Sequence, residues 1–158
     1  MSETPSSASS SASSLPNSSA RPAIFEAPIR IEESDIDGLG HVNNVVYLRW
    51  VQDVASAHWF AASTLEQRAT YGWVAIRHEI DYLHAAYLGD TLVARTQVGM
   101  VSGVRFERFV EIIKMPENRV IAATRSMWVA VDATTKRPRR IDPAINRQFY
   151  ETISDPVE

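Results

Sequence analysis

Residues 34–50, SDIDGLGHVNNVVYLRW, place two aspartates, two glycines, a histidine and two asparagines directly ahead of an apolar segment with helical spacing. A helix start presents free backbone N–H groups and a partial positive charge. A carbonyl oxygen can dock there and be stabilised as it becomes negative. The residue types therefore indicate oxyanion chemistry, with no reaction yet attached. Asp35 and Asp37 lie two apart, so an extended segment would show both on one face, and two close carboxylates can raise one another's pKa. Gly38 and Gly40 let the backbone turn tightly and approach a ligand. Asn43 and Asn44 are both good helix N-caps.

The elements that must position these residues follow from periodicity. Residues 24–31 read as a first strand, in which Pro28 implies an edge position or a bulge. Over residues 44–64, Val45, Leu48, Val51, Val54 and Ala55 recur at spacings of three and four, which predicts a helix. Arg49 and Asp53 are placed for an i,i+4 pair. Tyr47, Trp50, Trp59 and Phe60 widen the apolar surface beyond one stripe, as expected of a helix enclosed by a curved sheet. Four strand-like segments come next, at 73–82, 91–101, 104–114 and 120–131. Turn signals stand at Gly89-Asp90, Ser102-Gly103 and Pro116-Glu117-Asn118. In the first of these strands Val74, Ile76, Ile80 and Tyr82 are expected on one face and Arg77, Glu79 and Asp81 on the other. Short connections predict an antiparallel meander. Asp142 and Pro143 suit the N-cap and first position of a short helix at 143–152. One long helix against one sheet is an α+β layer architecture.

The composition suits a soluble globular domain. Of 158 residues, 45% are hydrophobic and 22% charged, and the net charge of −3 gives no general attraction to nucleic acid. The absence of cysteine removes disulfides, thiolate zinc sites and cysteine nucleophiles, and fits a cytoplasmic location. No apolar run is long enough to span a bilayer. Residues 1–22 are dominated by Ser, Ala and Pro and are expected to be a disordered tail. The domain is expected over 23–142 and a C-terminal extension over 143–158.

The motif Asp37-Gly38-Leu39-Gly40-His41-Val42-Asn43-Asn44, followed by Tyr47-Leu48, resembles that of the 4-hydroxybenzoyl-CoA thioesterase-like family of acyl-CoA thioesterases. A second match is Glu79-Ile80-Asp81-Tyr82-Leu83, leading to Leu88-Gly89-Asp90. The resemblance runs over about residues 25–141. It implies a hotdog fold: a long central helix wrapped by a five-stranded, mainly antiparallel sheet, with protomers pairing as a homodimer or homotetramer and the active site between subunits. It implies hydrolysis of an acyl-CoA, or of an acyl-carrier-protein thioester, with no cofactor and no metal.

The resemblance puts Asp37 in the acting position, as general base on water or as nucleophile, and favours it over Asp35. His41 is open to several roles: orienting Asp37, touching the thioester, positioning water, or a structural one. The N–H groups of residues such as Gly40, His41, Val42 and Asn43 are the expected oxyanion donors. Asn43 and Asn44 divide between cap and substrate contact, and Tyr47 forms pocket wall. For the phosphates of CoA, Arg105 and Arg108 are one candidate set, and the basic run Lys136, Arg137, Arg139 and Arg140 is another. His58, His78 and His84 lack metal-ligand spacing and read as structural. Two rival readings share the scaffold. A hydratase-type enzyme typically carries Asn-Pro between its Asp and His, where this chain has Gly-Leu-Gly. A non-catalytic acyl-thioester binder would not need a carboxylate at position 37. The aromatic residues Tyr47, Trp50, Trp59 and Trp73 admit an aryl or a fatty acyl group.

Overall fold

The structure is a computed structural model and describes residues 21–151. The expected N-terminal tail and the last seven residues of the chain lie essentially outside that range. The elements run β1 (Arg21–Pro22), β2 (Phe25–Ile29), a 3-10 turn (Glu33–Asp35), α1 (Asn44–Ala62), α2 (Leu65–Thr70), β3 (Tyr71–Tyr82), β4 (Thr91–Ser102), β5 (Arg105–Met115), β6 (Arg119–Asp132), α3 (Pro143–Arg147) and β7 (Tyr150–Glu151).

Helix α1 is the axis of the molecule. At 1.5 Å per residue it is about 28 Å long. It buries Tyr47, Trp50, Val51, Val54, Ala55, His58 and Trp59, so Val51, Val54, Ala55 and three of the four aromatic flanks lie inside as expected, whereas Val45, Leu48 and Phe60 are exposed. The sheet closes over this face in the order β2-β4-β5-β6-β3, every pairing antiparallel. Two apolar clusters fill the space between. One surrounds the first half of α1 with Leu92, Val110, Ile112 and Ile121. The other surrounds the second half with Trp128, Ile145 and Phe149. Each fully buried aliphatic side chain contributes about 1.5–3 kcal/mol, so these clusters hold the helix in place.

Three expectations change in detail. The meander comprises β4, β5 and β6 only. β3 pairs with β6 at the far edge of the sheet, so residues 83–90 cross the end of the sheet instead of forming a hairpin. Second, a bulge between Ala75 and Arg77 changes the phase of β3. Before it, Tyr71, Trp73 and Ala75 pack inward. After it, His78 meets Ser126 and Trp128, and Tyr82 meets Tyr47. An extra residue in one strand flips every side chain beyond it. Val74 and Ile76 therefore face outward, 49% and 52% exposed, where strict alternation put them inside with Ile80 and Tyr82. Third, the helix expected over 143–152 ends at Arg147, and its segment packs into the core. Asp142 caps α3 through its contact with Ala144 N, Pro143 begins the helix, and Ile145 and Phe149 are 1% exposed in the core. β7 then pairs with β1. Pro28 does sit on an edge strand, β2, as its missing N–H requires.

His58 is buried on α1 with its ring stacked on Phe25, and Arg108 donates to its Nδ1 at 3.0 Å. Burial first, and the neighbouring guanidinium second, lower its pKa from 6.5 to about 4. As pH falls, the unfolded chain takes up this proton near 6.5 and the folded one only near 4. Stability from the neutral ring is thus complete above about pH 6.5 and is lost toward pH 4. The H58Q variant, which keeps an acceptor for Arg108, is expected to show a flatter stability profile. Unfolding free energies between pH 7 and 4.5 should differ in slope from the parent by up to about 1.4 kcal/mol per pH unit.

Candidate active site

The motif folds as a small hairpin that ends on the helix. Ile36 and Val42 form an antiparallel bridge. Asp37 N donates to His41 O at 3.0 Å, and Gly40 N donates to Asp37 O at 3.0 Å. Gly40 sits at φ +82°, a left-handed conformation that side chains with a Cβ rarely adopt, so glycine is required at that point of the turn. Asn43 is the N-cap of α1, its Oδ1 accepting from Val45 N at 3.0 Å. Asn44 is the first helical residue. It is exposed, and its carbonyl accepts from the Tyr82 hydroxyl at 2.9 Å.

The two aspartates have opposite surroundings. Asp35 is 1% exposed. Its Oδ2 accepts from Glu32 N at 3.0 Å, its Oδ1 pairs with Arg49 at 2.8 Å, and its carbonyl accepts from Asn43 N at 2.9 Å. Arg49 therefore reaches back to Asp35 and does not pair with Asp53 as the i,i+4 spacing suggested. Asp37 is half-buried, and its one side-chain hydrogen bond is to Leu39 N, 2.9 Å from Oδ1. That contact closes an Asx turn and leaves the second oxygen open. One carboxylate is consumed in structure and the other is available.

The crossing segment 83–90 lies against the hairpin. Val42 N donates to Ala86 O at 2.8 Å, and Ala86 is fully buried. The Tyr87 ring stands edge-on to His41 with centroids 6.4 Å apart. His41 Nδ1 lies 3.2 Å from Val42 O, which leaves Nε2 free. Of the N–H groups expected to serve as oxyanion donors, those of Gly40, Val42 and Asn43 are taken by Asp37 O, Ala86 O and Asp35 O. That of His41, within the expected run, has no partner among the described residues, and neither has that of Asn44, one residue beyond it.

A cavity of about 190 Å³ beside the hairpin is lined in part by His41, Val42, Asn44, Tyr47, Tyr82 and His84. Asp37 is not among its lining residues. Tyr47 is 3% exposed, and burial raises the pKa of its hydroxyl, which suits a wall and not a base. The expected site residues thus gather at the start of α1, with the exception of the two arginines. Arg105 stands at the first position of β5, opposite Ser102 and Val129. Arg108 is 3% exposed and bonded to His58 and Thr96, so it lies inside the domain and not on the outer surface with the exposed Arg105. Arg139 and Arg140 of the basic run line an open cleft of about 600 Å³ with Gly103 and Asp142. Among the described residues no cluster of His, Cys, Asp or Glu could hold a metal ion, and no helix is long and apolar enough to cross a membrane.

The sequence residues 31–149 match the family model of the thioesterase-like superfamily. The chain belongs to that family. The long-chain acyl-CoA thioesterase FadM of Escherichia coli is 22% identical over 137 residues, which cover 82% of this chain and 99% of FadM. Among solved structures, a predicted thioesterase from Bacillus stearothermophilus is 25% identical with a TM-score of 0.69, covering 80% of this chain and 94% of its own. A thioesterase from Thermus thermophilus, complexed with coenzyme A and zinc, gives a TM-score of 0.68 at 21% identity over 78% of this chain and 90% of its own. The fold is therefore the hotdog fold of the family, and the chain is a thioester hydrolase. What the resemblance did not indicate is the contribution of Ala86 and Tyr87. Their pairing with Val42 and His41 is long-range and follows no local spacing.

Removing the Asp35 carboxylate strips Glu32 N of its acceptor and frees Arg49, which is half exposed and can be hydrated, so D35A is expected to destabilise the protein by about 1–3 kcal/mol. D37N keeps an acceptor for Leu39 N and should cost less than about 1 kcal/mol. Chemical denaturation of the two variants side by side checks the contrast.

Proposed function

We propose that the protein is an acyl-CoA thioesterase in which Asp37 is the acting carboxylate. The observation that carries this is the asymmetry of the aspartates: Asp35 is locked by Glu32, Arg49 and its own burial, while Asp37 keeps an oxygen free beside the helix start. The relationship to FadM and the coenzyme A complex of the Thermus relative support CoA as the carrier. In this reading the thioester carbonyl lies over the start of α1, and the N–H groups of His41 and Asn44 hold the oxyanion. Asp37 deprotonates the attacking water or attacks directly, and His41 Nε2 faces the same reaction.

The same reading makes the enzyme a dimer. β3 is a twelve-residue edge strand whose outer side has no partner among the described residues, and it carries Val74 and Ile76 outward. A long apolar edge is a template for pairing with another chain. Antiparallel pairing of two β3 strands would bring the Tyr82 end of one, next to its Asn44, to the Tyr71 end of the other. The Arg139–Arg140 cleft, which includes Tyr71, would then lie near the partner subunit's Asp37 and could take the phosphates of CoA, with Arg105 close by. A cytoplasmic setting accords with the cysteine-free composition.

Thiol release from a panel of acyl-CoAs tests the reaction. D37N should lower kcat/KM by on the order of 10²–10³-fold with an unchanged melting transition; near-full activity in D37N would remove Asp37 from the mechanism. I76K, which puts a charge on the outward face of the edge strand, should sediment as a monomer and lose activity although Asp37 is intact. A dimeric, active I76K would move the subunit seam elsewhere.

A further inference from the structure

At the opposite end of α1 from the motif hairpin, a cavity of about 310 Å³ opens between the second half of the helix, the start of β3, and β5 and β6. Its walls are aromatic: Trp59 and Trp73 pack edge to face at 5.3 Å, and Trp73 and Phe106 are tilted at 5.0 Å. Gln52 and Ser56 also line it and bring acceptors as well as donors, but the side-chain atoms of its walls that are left without a partner are all donors. Of the four buried side-chain nitrogens without a partner among the described residues, three belong to residues that line it: Trp73 Nε1, Trp128 Nε1 and Arg68 Nε. The fourth donor group is Arg108, whose guanidinium is buried at the cavity wall with no carboxylate in an ion pair among the described residues. Its Nη1 donates to His58 Nδ1 and Thr96 Oγ1, both at 3.0 Å and both neutral. The faces of Phe106 and Phe149 lie 5.5 and 5.7 Å from its Cζ and supply some cation–π attraction, but no counter-charge. Burial lowers its pKa only to about 10, so it remains a cation at neutral pH.

Each unsatisfied buried donor costs about 1–3 kcal/mol, and a buried charge without a counter-ion costs more. Water could satisfy the donors but would not balance the charge. The Tyr71 hydroxyl is already engaged with Arg140 O and Asp142 N, and the acceptors of Gln52 and Ser56 carry no charge. We propose that this cavity binds a carboxylate carried on an apolar body, with the Arg108 guanidinium as counter-ion and Trp73, Trp128 and Arg68 as supporting donors. The walls accept the apolar body and the donors select the anionic end. Two sources can present that chemistry: an acyl group ending in a carboxylate, delivered as its thioester by the partner subunit's motif, or a free acid such as the hydrolysis product. The acyl source rests on the thioesterase reading above; binding of the acid itself does not.

Isothermal titration of the full chain with decanoate and 2-naphthoate, each against its primary amide, tests the proposal. At least one acid is expected to bind ten-fold or more tightly than its amide. W73F, which keeps an aromatic ring and removes the indole N–H, and R68Q are each expected to weaken the acid by about 3–10-fold and to change the amide much less. R108Q should abolish the preference; should it fail to fold, the other two variants carry the test. Equal binding of acid and amide, no binding of any of the four probes, or equal loss of both in W73F and R68Q would overturn it. Thiol-release assays on acyl-CoAs of one length, with and without a terminal carboxylate, separate the sources. A ten-fold preference for the carboxylated substrate assigns the site to the acyl end, and its absence alongside acid binding assigns it to the free acid. Acid preference without hydrolysis of any acyl-CoA would sink the thioesterase reading and leave this site standing.

Discussion

The ion pair between Asp35 and Arg49 is the fixed point of the candidate active site. Asp35 is almost wholly buried, and it touches three separate pieces of chain: the 3-10 turn through Glu32 N, the helix body through Arg49, and the helix cap through Asn43 N. A carboxylate removed from water must be compensated by charge or hydrogen bonds, and here the compensation doubles as a jig. It sets the distance between the end of the first strand and the start of α1. The hairpin that carries Asp37 is suspended between those two points, so its free carboxylate inherits a defined position without being tied itself. Binding one aspartate tightly is what allows the other to be left loose.

This arrangement gives the two ends of α1 different characters. At its start the backbone is the reagent: donors, a turn, a cap and one open carboxylate. At its far end the side chains dominate, with aromatic walls and cations that have no anionic partner among the described residues. The helix is therefore a spacer as well as a core element. Its apolar face is continuous between the two clusters, and the polar groups of both ends depend on that packing for their burial.

Much of this was legible in the sequence. Periods of three and four residues give α1 to within two residues of its end, because a helix enclosed on one side must repeat its apolar positions. Asp142-Pro143 marks α3 because a cap and a first-turn proline are local chemistry. The order of strands was less visible. Nothing in 71–82 says that its partner is β6 and not β4, since pairing is decided by the packing of the whole layer. The outward turn of Val74 and Ile76 was hidden for a narrower reason: one bulge at Ile76 inverts a pattern that reads as simple alternation. In the site, the motif residues could be located but their state could not. Whether a given N–H is free depends on Ala86, and whether Asp35 is free depends on Arg49, which are tertiary facts.

The crossing of residues 83–90 has a consequence for the order in which the molecule comes together. Val42 is held by Ala86, and the segment bearing Ala86 is anchored where Leu83 N and His84 N donate to Ile121 O, on the strand that completes β3's pairing. The Asp35–Arg49 contact spans a short loop and can close early, whereas this second tie closes only after β6 exists. During synthesis the ribosome must release nearly the whole domain before the hairpin near its beginning is seated. A nascent or truncated chain would carry every residue of the motif and still lack the site.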